Sequence, residues 1–214
     1  MNADDEQRIL QTLLAAQGDP SLLALASVDL AFAEAPLAER ERLRQGLLAA
    51  AVPHWFDTPF LAALLSTSAV EADDIKGKLQ LLTNVESFPA RGEGACNIHE
   101  ASRIALREHL RRKRPDLWQT YAERALEHLT AGKATHVRIE ALFHLFAADP
   151  KAAVPACELL DRDLQQNPAT LAALCLALTE LSSAGWLTGA ALVEALRVPL
   201  WYRSLRGEVS QLES

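Results

Sequence analysis

The chain has 214 residues, of which 50% are hydrophobic and 23% charged, enough to bury one sizeable core or two small ones and too apolar for a disordered chain. A net charge of −7 excludes a general polyanion binder, although the balance is uneven: residues 1–95 carry 7 basic and 14 acidic side chains, residues 96–214 carry 14 of each. The three cysteines, Cys96, Cys157 and Cys175, are far apart and odd in number, so they make no disulfide framework and have no zinc-ligand spacing; buried reduced thiols are expected. The acidic start is not a signal peptide, and no apolar run reaches membrane-spanning length without a charge or proline, so a cytoplasmic protein is expected, with no membrane and no cofactor.

Residues 4–17 place Ile9, Leu10, Leu13 and Leu14 at helical spacing, and Gly18-Asp19-Pro20 stops them. Asp19 or Ser21 can cap a second helix running to about residue 35. Pro36 opens a third, 37–51, with Leu43, Leu47 and Leu48 inward and Glu39, Arg40, Glu41 and Arg42 solvating one face. Residues 1–36 thus read as helices that pack on the segment beginning at Leu37. After Pro53, His54-Trp55-Phe56-Asp57 is a short extended link whose two aromatic rings are core anchors. Two short helical patterns come next, 58–65 and 71–82, the second with Ile75, Leu79 and Leu82 inward. Two strand-like runs, 84–88 and 95–98, flank Pro89-Ala90-Arg91-Gly92-Glu93-Gly94, a run of residues that tolerate turn geometry. A long helix starts near His99.

Helix, helix, helix, hairpin, helix over residues 37–114 reads as a winged-helix-like unit. Beyond Pro115 the pattern is purely helical: a helix closed by Gly132, then 134–147, 151–165, 169–183 and one from Thr188 that Pro199 interrupts. The run 169–183 is apolar nearly all round, which predicts a central, buried helix. Short turns between these helices predict a repeat-like, TPR-like array over 115–206, with a frayed polar tail at 207–214. The fold class is therefore mainly α, a winged-helix-like unit with one β-hairpin followed by an α-helical array.

The residues Cys96-Asn97-Ile98-His99-Glu100, leaving a strand and opening a helix, resemble the Met-His-Asp motif of the NB-ARC and wider STAND signalling NTPases. The run 47–65, with AAVPHWFD, is similar to the first helix of their winged-helix domain and the entry to the second. The run 138–152, RIEALFHLFAADPKA, resembles a helical repeat that often comes after it. Order and spacing agree over roughly 37–152. Two departures matter: no Gly-rich loop with Lys-Ser or Lys-Thr occurs, so the phosphate cradle of the NTPase is missing, and Ile98 and Glu100 stand where the family has Met and Asp. In that family the motif's histidine contacts the phosphate of bound ADP, a role that the resemblance carries onto His99 alone. Without an NTPase in the same chain, His99 either senses a partner's nucleotide or caps and packs locally.

Spacing offers further candidates. His136, Glu140 and His144 fall at successive i, i+4 steps, which can present metal ligands, but the zinc-protease pattern is missing and a surface or half-buried polar stripe is expected. Arg103, Arg107, Arg111, Arg112, Lys113 and Arg114 crowd one helix, three of them on one stripe; they read either as favourable charge at a helix C-terminus or as a patch for phosphate or an acidic partner. No Ser or Cys nucleophile sits in a recognisable motif, and Asp161 and Asp163 read as solvated surface. The sequence therefore reads as a non-catalytic regulatory and protein-interaction module, with a partner such as an NTPase or effector encoded nearby. The alternative is a winged-helix nucleic-acid-binding regulator, inserting 71–82 into a major groove, although Glu71, Asp73 and Asp74 at the start of that helix would meet phosphates unfavourably.

Overall fold

The computed structural model describes residues 18–165 and 167–205, with Gln11 and Leu14 before them. The helix expected at 4–17, those two residues apart, and the tail at 207–214 lie outside the described residues. The chain is mainly α, with ten α-helices and one two-stranded antiparallel sheet among the described residues. It divides into two compact units, Met1–Arg124 and Ala125–Ser214.

In the first unit, the described helices before the hairpin begin where the sequence supplies an oxygen for the unpaired first-turn amides or a proline that lacks one. Asp19 caps α1 (Pro20–Ala31), accepting from the Ser21 and Leu22 amides at 2.9 and 3.3 Å. This helix ends at Ala31, short of the expected residue 35, and turns fill 32–35. Pro36 precedes α2 (Leu37–Ala50). Asp57 caps α3 (Thr58–Leu65) through the Phe60 amide at 2.8 Å, and Ser66 closes it in the left-handed region at φ 55°. Ser68 caps α4 (Ala69–Leu79), so that helix starts two residues before the expected Glu71 and stops before Leu82.

The hairpin pairs β1 (Val85–Ser87) with β2 (Cys96–Ile98), Val85 opposite Ile98 and Ser87 opposite Cys96. A 3₁₀ turn, Pro89–Arg91, begins the connection. The expected extended link at 54–57 does more than connect. Phe56 forms a bridge with Cys96, the two backbone N–H groups each donating to the other's carbonyl at 2.8 Å. The hairpin is thereby tied to the chain leaving α2. Helices α5 (Glu100–Lys113) and α6 (Pro115–Leu129) come next.

The core of this unit collects Leu43, Leu47, Phe56, Phe60, Ile75 and Ile98, all almost wholly buried, and Trp55 meets Phe60 edge to face at 5.5 Å. Helices α2 and α4 approach closely at Gly46, where a Cβ would lie 2.5 Å from Ile75 Cγ2. Around that contact Arg42 and Lys78 bridge Glu39 and Asp74 across the two helices. These pairs hold both carboxyls below the usual carboxylate range, Glu39 chiefly through Arg42 and Asp74 chiefly through Lys78.

The second unit is built of α7 (Thr135–Ala148), α8 (Pro150–Leu164), α9 (Pro168–Ser183) and α10 (Gly189–Leu205) around one apolar cluster that includes Phe143, Phe146, Leu160, Leu174 and Leu178. Two expectations need correction here. Pro199 does not interrupt the last helix, which runs through it. The missing N–H and ring clash of a mid-helix proline cost stability, yet Val198 and Pro199 are buried and tertiary packing holds the helix together. Nor is α9 buried all round. Its Leu171, Leu174, Leu178 and Leu181 face the cluster, whereas Leu176 is 73% exposed, because α7, α8 and α10 cover only part of its circumference.

The Gly46 contact yields a direct test. Alanine would add about 1 kcal/mol of helix propensity, but its methyl group collides with Ile75 and overpacking of this kind costs about 1–3 kcal/mol. Gly46→Ala is expected to lower the urea midpoint. An unchanged or raised midpoint would mean that α4 gives way and that Gly46 does not set the spacing.

Candidate functional site

The site singled out by sequence is the junction of β2 and α5. The hairpin register puts Glu86 opposite Asn97, and the His99 amide donates to the Asn84 carbonyl at 2.9 Å, extending the pairing by one step before the helix begins. Helix α5 therefore starts directly off the sheet. His99 occupies its N-cap position, yet the ring makes no capping hydrogen bond. The side chain is 51% exposed, with Nε2 3.4 Å from Glu86 Oε2. Ile98 on one side is buried, and Glu100 on the other places a carboxylate in the first turn, where the helix dipole favours it. The arrangement is an exposed imidazole steadied by a carboxylate beside an N-terminus that its own side chain leaves uncapped. It can donate to or accept from a polar group brought by another molecule.

The six basic residues of the same helix do not form one surface. Arg103 and Arg107 are buried, so the stripe of three expected from spacing turns inward. Arg107 is fully buried: Nε donates to the Ala51 carbonyl at 2.9 Å and Nη2 to the Val52 carbonyl at 2.7 Å. These carbonyls lie just past the end of α2, where helical partners run out. The planar guanidinium supplies two parallel donors to them, and so a buried cation is satisfied by backbone. Arg111 is half-buried and bonded to Glu108 at 3.4 Å; burial draws its guanidinium below the ordinary range. Arg112 is largely exposed and also meets Glu108. Lys113 is exposed, and Arg114 reaches Asp116 at 3.5 Å. The outward basic patch thus comprises Arg112, Lys113 and Arg114, with Arg111 at its edge, and three of these four already face carboxylates.

Of the stripe of His136, Glu140 and His144, His136 is half-buried as expected, whereas the other two turn into the fold. Glu140 and His144 are buried in α7, with His144 Nε2 3.1 Å from Glu140 Oε1, and Phe143 stands edge-on to the imidazole. The i, i+4 spacing read from sequence brings them together; which side of α7 they occupy is decided by the neighbouring helices. Asp161 departs from expectation in the same way. It is buried and bonded to Arg197 at 3.1 Å, whereas Asp163 is exposed and paired with Arg138. Arg197 also binds Glu194 of its own helix at 2.7 Å, and its bond to Asp161 joins α8 to α10. No group of three or more His, Cys, Asp or Glu side chains is arranged to hold a metal among the described residues.

All three cysteines are free and buried. Burial pushes each thiol up, Cys175 to about 11, so thiolate chemistry is suppressed at neutral pH. One polar contact escaped the spacing arguments altogether: Ser21 Oγ on α1 lies 3.4 Å from His109 Nδ1 on α5. The Asp19 cap is legible as a helix-start signal, but nothing in the sequence relates it to a histidine 90 positions away.

Compared with known proteins, the chain matches no family model, no curated protein and no solved structure. No described helix is long and apolar enough to cross a membrane.

The two kinds of arginine on α5 make separable predictions. Arg107→Ala removes two charge-assisted bonds and strands the Ala51 and Val52 carbonyls, so a loss of about 3 kcal/mol or more is expected by denaturant unfolding. Arg112→Ala should stay within about 0.5 kcal/mol of wild type. Equal effects would show that the buried guanidinium is not holding the end of α2.

Proposed function

We propose that this chain is a non-catalytic regulatory module that docks a protein partner, with residues 37–114 acting as a winged-helix-like unit and 115–206 as a TPR-like helical array. The observation that carries the reading is the position of His99. It ends a strand, begins a helix and keeps half of its ring exposed, as expected of a residue that resembles the phosphate-contacting histidine of STAND and NB-ARC signalling NTPases. A chain with this histidine and no phosphate cradle of its own would meet a nucleotide only when a partner brings one. The partner class is therefore a P-loop NTPase, with Arg112, Lys113 and Arg114 on the far end of α5 offering positive charge to an acidic partner surface.

A nucleic-acid reading finds less support. Helix α4 would have to enter the major groove, and its two lysines are engaged: Lys78 with Glu39 and Asp74, Lys76 with Asp73 and the Gly94 carbonyl. Its first turn is acidic, which phosphate disfavours.

The test uses the full chain as bait, with wild type and His99→Ala compared in the presence and absence of ADP. His99→Ala should change stability by no more than about 0.5 kcal/mol, while retention of a P-loop NTPase that the wild type holds with ADP should fall. Retention of no such NTPase by the wild type, or equal retention by the variant, would sink the proposal. Tight binding to duplex DNA with a steep salt dependence would favour the regulator reading instead.

A further inference from the structure

The two edges of the hairpin are unlike. The Phe88 N–H donates to the Ala95 carbonyl at 2.7 Å and the His99 N–H to the Asn84 carbonyl at 2.9 Å. Backbone groups alternate in direction along an antiparallel ladder, so Asn84, Glu86 and Phe88 turn theirs toward β2, whereas Val85 and Ser87 turn theirs away. On the far side of β2, the outward groups of Cys96 are taken by Phe56. On β1 the Val85 N–H is given to the Leu82 carbonyl at 3.2 Å, which leaves the Val85 carbonyl and both backbone groups of Ser87. No backbone group among the described residues pairs with these three. Ser87 is exposed, and so is Glu86 between it and Val85.

Such an edge is a template for another strand. A second copy of this chain is a poor occupant, because each twofold register fails. Centred on Glu86, the pairing sets two carboxylates directly opposite one another, which destabilises a strand pair. Centred on Ser87, it sets Val85 against Pro89, which has no N–H to give. Centred on Val85, both bonds of the central pair need the N–H that Leu82 already holds. A foreign strand keeps three bonds: it donates to the Val85 and Ser87 carbonyls and accepts from the Ser87 N–H. The residue between its two donors then lies opposite Glu86, where a cation is attracted. The surroundings agree, since residues 1–95 carry 7 basic against 14 acidic side chains.

We propose that the open edge of β1 docks an extended, basic segment of a protein partner, which adds antiparallel to β1 with a Lys or Arg opposite Glu86. Main-chain bonds supply the affinity, and the charge opposite Glu86 supplies the selection. The Glu86 carboxylate lies 3.4 Å from His99 Nε2, so an incoming cation shares it with the imidazole. Docking here requires no nucleotide at His99, and it stands or fails apart from a nucleotide-sensing role for that residue.

NMR titration of the labelled full chain with the capped peptide Ac-Thr-Val-Lys-Val-Thr-NH2 reads the contact at its own atoms. At millimolar peptide the Ser87 amide resonance should move downfield and its hydrogen exchange should slow, while the Phe56 and Cys96 amides on the other edge stay unchanged. Methylating the two valine nitrogens of the peptide removes its donors and should abolish the shift. Replacing its lysine by glutamate should weaken binding by about threefold or more. Ser87→Pro takes away the N–H at an edge position where proline is tolerated, and should lose binding with the Phe56 and Cys96 amides still protected. Glu86→Lys keeps every backbone group and should reverse the preference, holding the glutamate peptide more tightly than the lysine one. If proline unfolds the hairpin, the preference of Glu86→Lys decides. An unmoved Ser87 amide, a shift that survives N-methylation, or a Glu86→Lys variant that does not favour glutamate would overturn the proposal.

Discussion

The first unit depends on one guanidinium. Arg107 spans the gap between α5 and the end of α2, with its two donors on the Ala51 and Val52 carbonyls. Those carbonyls would otherwise be buried without partners, a loss no apolar side chain could make good. Their position also explains what lies downstream. The chain leaves α2 at Ala51, turns, and within five residues pairs Phe56 with Cys96 of the hairpin. Where α2 ends therefore determines where the sheet sits, and α5 starts from that sheet. The helix that supplies Arg107 is thus positioned by the segment Arg107 holds. Arg124 of α6 repeats the device on α3, donating to the Leu64 carbonyl at 2.8 Å.

The basic residues on α5 accordingly fall into two populations with different physics. Those facing inward carry structure, and Arg107 among them has its charge satisfied by backbone oxygen. Those facing outward near the C-terminus lie where exposed carbonyls attract cations. Only the outward group can serve a partner, and it stands at the opposite end of α5 from His99. A partner that engaged both would have to run along the helix.

The second unit places its charges differently. Asp161 and Glu194 are buried and share Arg197, whose side chain remains partly exposed. Hydrogen bonding to Glu194 and Asp161 outweighs desolvation and raises the Arg197 guanidinium above its ordinary range. Each carboxylate would be costly alone; together, with a cation that keeps one side in water, they tie α8 to α10 without a disulfide. Of the cysteines nearby, Cys157 hydrogen-bonds the Glu194 carboxylate, whereas Cys175 packs as a small apolar group.

Much of the molecule was legible from local rules. Apolar spacing, with Asp19 as a cap and Pro36 before the third helix, located helices because these signals act within a few residues of where they stand; Asp57, Asp149 and Asn167 act in the same local way, each capping the helix that follows it. The hairpin was legible from its turn residues, and the junction at His99 from the change of strand pattern to helix pattern, although only the resemblance of Cys96–Glu100 to the Met-His-Asp motif singled that residue out. Periodicity could say that Arg103, Arg107 and Arg111 share a stripe, or that Glu140 and His144 do, but a stripe has no direction until something packs on it. Tertiary structure alone turned Arg107 inward onto α2, buried the Glu140–His144 pair, left Leu176 in solvent, carried a helix through Pro199 and set Ser21 beside His109. The physical reason is the same in each case. A local signal specifies which residues share a face, whereas burial, partner oxygens and electrostatic surroundings are supplied by segments distant in sequence.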